Sequence, residues 1–505
     1  NYSKLNIQNL KFLYIHFAYK TEGKLFEQEK ILKAIIPNLI ENSQIPLYIQ
    51  LYEHIKSAIL SKEIAFGEKL PSLRNLSTDL GVSVTTVDLA YSQLMVEGYI
   101  YSKPQSGYYV ANSLNPLYAM NDVVPSDVFT TSFDETPPHD VLQRFSDSSL
   151  RFKVDTSCFD FNKWKKCINK VLTNCSHMLL SESDSQGESA LRYEIAKYLY
   201  SFRGVSCSSD QVIISAGTQQ TSQHLSRVLQ DLDIYTVATE TPGYAPVTQI
   251  FRNNRLSIFE IPVLDDGIEI EKLPVNIPSA VYVNPSNQFP TGSVMPIGRR
   301  YDLLAWAEKN DSYIIEDDYD SELRYFGRPI PALKSLDHSN RVIYLGSFSS
   351  TLFPAIKISY MVLPEKPLEK YAESKDSYSQ TCSKTEQLAL SLYMAEGKYM
   401  SGIKKLRRLY SQKLNAVISQ MKKTADDFIT IHNTYSGITV SLKVNTGKSA
   451  AILSAEAESL GLNVIESPAV KTDDLKIKDM IFYYNQIPLT EISDSVKQLT
   501  NLWRE

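Results

Sequence analysis

From residue 151 to residue 505, short apolar runs rich in β-branched residues alternate with longer stretches of helical spacing. The runs read QVIISAG, YTVATE, SAVYVNP, SYIIEDD and RVIYLGS. Strands so uniformly apolar need cover on both faces, and the helical stretches between them can supply it. The pattern predicts an α/β fold with a mostly parallel sheet and a smaller C-terminal lobe. No internal repeat interrupts it.

Residues 45–112 follow a different rule. PLYIQLYEHIKSAILS has helical spacing, and EIAFGEKLPS breaks it at Gly67 and Pro71. LRNLSTDLG reads as a second helix ending at Gly81, and SVTTVDLAYSQLMVEG as a third between a Ser83 cap and Gly98. YIYSKPQSGYYVA alternates, turns at Pro104-Gln105-Ser106-Gly107 and alternates again, the mark of a hairpin. This order predicts a winged helix-turn-helix.

Residues 113–150 are rich in Asp, Ser, Thr and Pro and lose periodicity, so they are expected to be a linker. Residues 1–44 carry no motif and are expected to be an appendage packing on the next domain. At 505 residues, with 43% hydrophobic and 22% charged residues, the chain has material for two or three soluble domains. No apolar run reaches membrane-spanning length, and the first residues lack the pattern of a signal peptide. The five cysteines are scattered, without a C-x-x-C, which predicts reduced thiols in a cytoplasmic protein and no zinc site. A net charge of −5 excludes a globally basic nucleic-acid binder, so any such role must be local.

The second helix of a helix-turn-helix pair enters the major groove by its N-terminal end. Here that end is Ser83-Val84-Thr85-Thr86, whose hydroxyls can donate to phosphate. Ser72 and Arg74 on the preceding helix are placed to reach the backbone, and Lys103 and Gly107 mark the wing. The stretch LPSLRNLSTDLGVSVTTVDLAYSQLMVEG, with SGYYV in the wing, resembles the GntR family of winged helix-turn-helix regulators. The resemblance implies double-stranded DNA as a partner. Two departures stand out: Val84 where many members have arginine, and Asp88 where others have a base. Residues 45–112 hold five Lys/Arg against six Asp/Glu, so non-specific phosphate attraction should be modest. Val84 can instead touch a thymine methyl.

In the larger region, QVIISAGTQQT runs from a strand through Gly217-Thr218-Gln219 into a helix, a turn whose amides can hold phosphate. Tyr244, in TPGY, can stack on a flat ring. NPSNQFPTG is a polar loop containing Asn287. IIEDDYDSELRY closes a buried strand with Asp317 and Tyr319, a carboxylate able to protonate a pyridine nitrogen and a phenol able to meet a ring oxygen. LGSFSSTLFPAIKISYMVLP carries Ser347, Ser349, Ser350 and Lys357 on a strand end followed by an apolar turn.

In order, these segments resemble the fold-type I aminotransferases. With the winged helix and linker, residues 45–505 resemble the MocR subfamily of GntR regulators. The resemblance implies a pyridoxal 5′-phosphate site. Gly217, Thr218 and Gln219, with Lys357, would hold the phosphate. Tyr244 would stack on the ring, Asp317 would pair with its nitrogen, and Tyr319 would meet its phenolic oxygen. Asn287, Ser347 and Ser349 would be further cofactor-binding residues. It also implies a homodimer, with a head-to-tail exchange of the small domains as one arrangement.

The family reads S-F-S-K-T where this chain reads S-F-S-S-T. Ser350 thus stands at the position of the lysine that joins the cofactor covalently, and a hydroxyl cannot form that bond. Lys357 replaces a phosphate-binding arginine, and DMIFYYNQIPL lacks the late arginine that holds a substrate carboxylate. Lys384 follows SYSQTC and opens a helical run, which makes it a surface helix residue and not a displaced catalytic lysine. No catalytic residue is assigned. The expectation is a regulator that binds the cofactor non-covalently, or its adduct with an amino compound, and does not turn over. A working transaminase with an added DNA-binding domain is the enzyme alternative. An emptied aminotransferase-like scaffold is the structural one.

Overall fold

The computed structural model describes residues 39–40, 45–111, 151–325, 330–432, 436–468 and 476–504. The expected appendage, apart from residues 39–40, and the whole of the expected linker lie outside the described residues. The chain divides into two compact units, Asn1–Arg144 and Phe145–Glu505.

In the small unit, α1 (Leu47–Leu60), α2 (Leu73–Leu80) and α3 (Val84–Val96) precede the hairpin of β1 (Ile100–Lys103) and β2 (Gly107–Val110). Local chemistry fixes the boundaries. Ser72 caps α2 by accepting from the Asn75 amide, and Gly81 ends it at φ +67°. Ser83 then caps α3 by accepting from the Thr86 amide. One core binds the elements: Leu51, Ile55, Leu76, Val87 and Leu94 are fully buried with Tyr91, whose hydroxyl donates to the Pro71 carbonyl at 3.1 Å.

The large unit holds eight strands in one sheet. They are β3 (Val212–Ser215), β4 (Thr236–Thr241), β5 (Ser257–Leu264), β6 (Gly267–Ile268), β7 (Ala280–Val283), β8 (Tyr313–Asp317), β9 (Val342–Ser347) and β10 (Ser359–Val362). Their spatial order is β3-β10-β9-β8-β7-β4-β5-β6. The run from β9 through β8, β7 and β4 to β5 is parallel; β10 is antiparallel to both neighbours, and β6 to β5. The sheet is therefore mostly parallel, as the alternation predicts. ISYMVLP, read from sequence as part of an apolar turn, instead supplies β10. Turns occupy residues 349–351 and Pro354–Ile356, and Ser359–Val362 insert between β3 and β9.

Period-two alternation decides what each strand residue meets. Ile213, Met361, Ile343, Ile315 and Tyr282 face a cluster that includes Leu225 and Val247, from α4 (Gly217–Asp231) and α5 (Ala245–Asn253). Their neighbours Ile214, Tyr360 and Tyr344 belong to a cluster with Leu191 and Leu199. Val281 and Ile314 belong to another with Leu303 and Trp306. The smaller C-terminal lobe is a four-stranded antiparallel sheet: β11 (Ile429–His432), β12 (Thr439–Asn445), β13 (Val464–Glu466) and β14 (Ile477–Tyr483), in the order β11-β12-β14-β13. Long helix Lys398–Ala425 and the terminal helix Ile492–Arg504 cover it, with Trp503 buried. No helix among the described residues is long and apolar enough to cross a membrane.

Candidate functional site

The C-terminal ends of β8 and β9, the start of α4 and the near ends of β12 and β14 surround a cavity of about 420 Å³. Its lining includes Gly217, Thr218, Gln219, Tyr244, Asp317, Tyr319, Ser347, Ser349, Ser350 and Lys357. Residues scattered over more than a hundred positions in sequence thus meet in one place.

One end of the cavity is built for an anion. Gly217, Thr218 and Gln219 form the first turn of α4, where amides have no intrahelical acceptor. Gly217 sits at φ +84°, a backbone conformation that favours glycine, with the Lys357 side chain beside it. Lys357 itself adopts a left-handed backbone conformation, φ +47°, at the turn entering β10. The Ser349 amide donates to the Ser347 hydroxyl at 3.3 Å, which holds the two serines together. Thr351 pins the same turn by sharing a hydrogen bond with Tyr399 at 3.0 Å.

The opposite end is acidic. Glu316, Asp317, Asp318 and Asp320 are all buried, and alternation sends them to different partners. Glu316 accepts from the Leu333 and Lys334 amides at 2.7 and 2.8 Å. Asp318 takes a two-pronged ion pair from Arg203 at 2.6 and 2.9 Å and a hydrogen bond from Tyr344. Asp317 and Asp320 line the cavity. Asp317 accepts from the Tyr282 hydroxyl, and burial pushes its carboxyl up to about 6. Burial likewise pushes Asp320 up to about 6, against a hydrogen bond with the Ser350 side chain. Tyr319 stands half-buried in this wall, and its phenol is raised well above its ordinary value by desolvation and the nearby carboxylates.

Tyr244 stands at the mouth, 38% exposed, edge-on to Phe289 with ring centres 6.1 Å apart. The turn before it requires Gly243, because a Cβ there would strike the Glu240 carbonyl oxygen at 2.3 Å.

Asn287 departs from its expected place. It does not line the cavity; its side-chain oxygen accepts from Ser436 at 3.1 Å, and its amide nitrogen lies against Gly437. That loop packs on the C-terminal lobe, which takes up the asparagine. Lys384 opens a helix, as expected, and is not in the cavity. Its side chain is tied down, however: it donates to the Ser181 and Glu182 carbonyls at 3.2 and 2.9 Å, beside Glu188 at 3.7 Å. Sequence reasoning missed Asp320, Phe289, Ile438, Thr439 and Tyr483 in the lining. Phe289, Asp320 and Tyr483 stand inside segments singled out in the sequence, the last in DMIFYYNQIPL, whereas Ile438 and Thr439 come from the lobe and carry no local signal.

In the small unit, Arg74, Ser72, Ser83, Val84 and Thr85 are exposed along the start of α2 and α3. Ser83 and Thr86 hydroxyls bond each other at 2.8 Å, so part of their capacity serves the cap. Val84 is 45% exposed, an apolar point amid hydroxyls. On the hairpin, Lys103 lies over the Tyr109 ring at 4.6 Å and pairs in register with Gly107. Exposed Lys69, not anticipated from sequence, joins this cluster at 6.0 Å from the same ring. Gly107 serves the backbone: it sits at φ +110°, and a Cβ would press on Lys69 at 3.2 Å.

Residues 47–110 match the family model for bacterial regulatory proteins of the gntR family, and residues 151–477 that for aminotransferase class I and II. An uncharacterized HTH-type transcriptional regulator of Bacillus subtilis, YdeL, is 36% identical over 93% of this chain and 99% of its own length. The probable rhizopine catabolism regulatory protein MocR of Rhizobium meliloti is 31% identical over 84% of this chain and 87% of its own. Among solved structures, the α-aminoadipate aminotransferase LysN of Thermus thermophilus, complexed with N-(5′-phosphopyridoxyl)-L-leucine, is similar over 70% of this chain and 90% of its own. Its TM-score is 0.60 at 21% identity.

The Asp320 carboxyl has a testable signature. Its value of about 6 in the folded protein exceeds the ordinary 3.8, so folding favours the protonated form. The unfavourable contribution is absent below the ordinary value and complete above the folded one, with a ceiling on the order of 3 kcal/mol. Asp320→Asn should therefore raise the melting temperature of the full chain more at about pH 8 than at about pH 5. An equal shift at both would contradict this burial of charge.

Proposed function

As a member of the gntR family of bacterial regulatory proteins, of the MocR type with an aminotransferase class I and II domain behind the winged helix, the chain is a DNA-binding transcriptional regulator, and we propose that its large domain is the sensor. The ligand class is a phosphopyridoxyl compound, either pyridoxal 5′-phosphate or its adduct with an amino compound, held without a covalent bond. The observation that carries this reading is one cavity lined by the first turn of α4, the Ser347 and Ser349 hydroxyls and Lys357, together with the buried carboxylates of Asp317 and Asp320 and with Ser350.

The residues present fit such a group. The first turn of α4, Ser347, Ser349 and Lys357 line the cavity together and offer amides, hydroxyls and an ammonium to a phosphate. Asp317 keeps one carboxylate oxygen beyond its bond to Tyr282, enough to pair with a ring N–H. Tyr244 offers a ring face at the mouth, and Tyr319 a phenol beside Asp317. Charge-assisted contacts of this kind contribute roughly 1.5–3 kcal/mol each, so reversible binding needs no covalent link.

When bound to a lysine-bearing enzyme, the cofactor supplies an electron sink for chemistry at an amino carbon. Such chemistry also needs a side chain that links to the cofactor and carries protons. Ser350 does neither, since a hydroxyl cannot form an imine and this one lies against Asp320. Binding without turnover follows, and it supports the regulator over the transaminase. Lys384, secured by Ser181, Glu182 and Glu188, does not reach the cavity to replace the missing amine.

The partner is duplex DNA, read in the cytoplasm through Arg74, Ser83, Val84, Thr85 and Thr86, with Lys103 and Lys69 at the wing. The near-neutral charge of the small unit makes a single copy a weak binder, which favours a homodimer with two half-sites. Sedimentation at micromolar concentration should give a species of twice 57.2 kDa, and a persistent monomer would contradict this. Arg74→Ala should weaken binding to every duplex and flatten the salt dependence by about one phosphate contact. An unchanged salt slope would remove Arg74 from the interface.

Ser350→Lys tests the sensor itself. With pyridoxal phosphate it should gain a visible absorbance band that borohydride fixes on residue 350, while the unaltered chain gains none. A borohydride-stable cofactor on another lysine of the unaltered chain, or transamination at an ordinary enzymatic rate, would return the enzyme reading.

A further inference from the structure

Of the four buried acids at the end of β8, Asp320 is the least satisfied. Its side chain is 4% exposed and lines the cavity, yet Oδ1 has no hydrogen-bond partner. The other groups that meet the carboxylate are the Ser350 hydroxyl and the Ile438 amide. Among the described residues no cation forms an ion pair with it. Arg203 is committed to Asp318, and Lys357 lies beside Gly217 in the anion seat. A carboxylate left this way is costly, because burial removes its water and nothing restores the lost bond. The Asp317 carboxylate, by contrast, already accepts from the Tyr282 hydroxyl, while Asn284 donates to the Asp317 backbone carbonyl.

The missing partner must be a donor, preferably a charged one, and Ser350 indicates where it would come from. Ser350 stands at the position through which the family's lysine reaches the reactive carbon of the cofactor. The carboxylate beside it therefore faces whatever that carbon carries. An aldehyde there offers only an acceptor oxygen, which Asp320 would repel. An alcohol offers one neutral donor. A primary ammonium offers three donors and a positive charge: one N–H for Asp320, one for the Ser350 oxygen, and one to spare.

We infer that Asp320 and Ser350 form an ammonium subsite, and that the cavity selects a phosphorylated pyridine carrying a free primary amine over its aldehyde form. Pyridoxamine 5′-phosphate is the simplest such ligand. The inference rests on the phosphopyridoxyl reading above and deepens it by naming the form sensed. In place of the family's own lysine amine, the chain would take the amine of the ligand, so that the same carboxylate is neutralised from outside the polypeptide.

Calorimetric titration of the full chain with three compounds decides the matter: pyridoxamine 5′-phosphate, pyridoxine 5′-phosphate and pyridoxal 5′-phosphate. They share phosphate and ring and differ at one substituent. The amine should bind about tenfold or more tighter than the alcohol, the increment of one charge-assisted bond, and the aldehyde should not exceed the alcohol. Asp320→Asn should bring the amine-to-alcohol ratio close to one. Ser350→Lys places an ammonium of the chain's own in the subsite and should abolish the amine preference by a different route. Equal affinities in the unaltered chain, or an amine preference that survives both substitutions, would overturn the ammonium subsite and leave the phosphopyridoxyl reading standing. Failure of all three compounds to bind a chain that still binds DNA would overturn that reading and this inference together.

Discussion

Four carboxylates buried within five residues are the constraint around which the large domain is arranged. Glu316, Asp317, Asp318 and Asp320 lie in a medium where an unpaired charge costs several kcal/mol. Each partner comes from a different part of the chain. The amides of Leu333 and Lys334 meet Glu316, and Arg203 and Tyr344 meet Asp318. Arg203 also donates to the Ile330 carbonyl and Ser286, so one guanidinium joins a helix end, two loops and the sheet. Tyr282 meets Asp317 from the neighbouring strand. Satisfying Glu316 and Asp318 thus assembles the wall, while Asp317 and Asp320 line the cavity.

This division explains how an enzyme fold serves a regulator without large change. An enzyme needs its cofactor anchored through many turnovers; a sensor needs it to leave. Under the proposed reading, a serine in place of the amine that makes the covalent link would keep the rest of the cavity lining and make occupancy depend on ligand concentration. Ligand bound only by the folded state also stabilises that state in proportion to occupancy. For the signal to reach DNA, the ligand must favour one arrangement of the protein over another, by no more than its difference in affinity for the two.

Much of this was legible in the sequence because it is local. Ser72, Gly81 and Ser83 announce the helix boundaries of the small unit, and the apolar runs announce the strands. The turn before α4, the strand end at Asp317 and the serines after β9 were each visible as motifs, and the fold brings them together. What escaped was set by distant neighbours. Ile438 and Thr439 reach the cavity only because the lobe folds over it, and nothing near them in sequence says so. Asn287 looked like a site residue in a polar loop, but Ser436 of the lobe claims its side chain. Asp320 was visible only as one acid of four, since alternation along a strand does not reveal which carboxylate lacks a partner. The strand Ser359–Val362 was hidden by the turn before it, because its pairing with β3 and β9 is long-range.

The central claim is that the large domain holds its ligand without a covalent bond. Mass spectrometry of the same purified full-length protein, first under native and then under denaturing conditions, tests it most directly. Supplied with a phosphopyridoxyl compound, the native protein should carry the added mass of that compound, and denaturation should remove it completely, with or without prior borohydride. A native protein that takes up no such mass, or an added mass that survives denaturation after borohydride, would contradict the account.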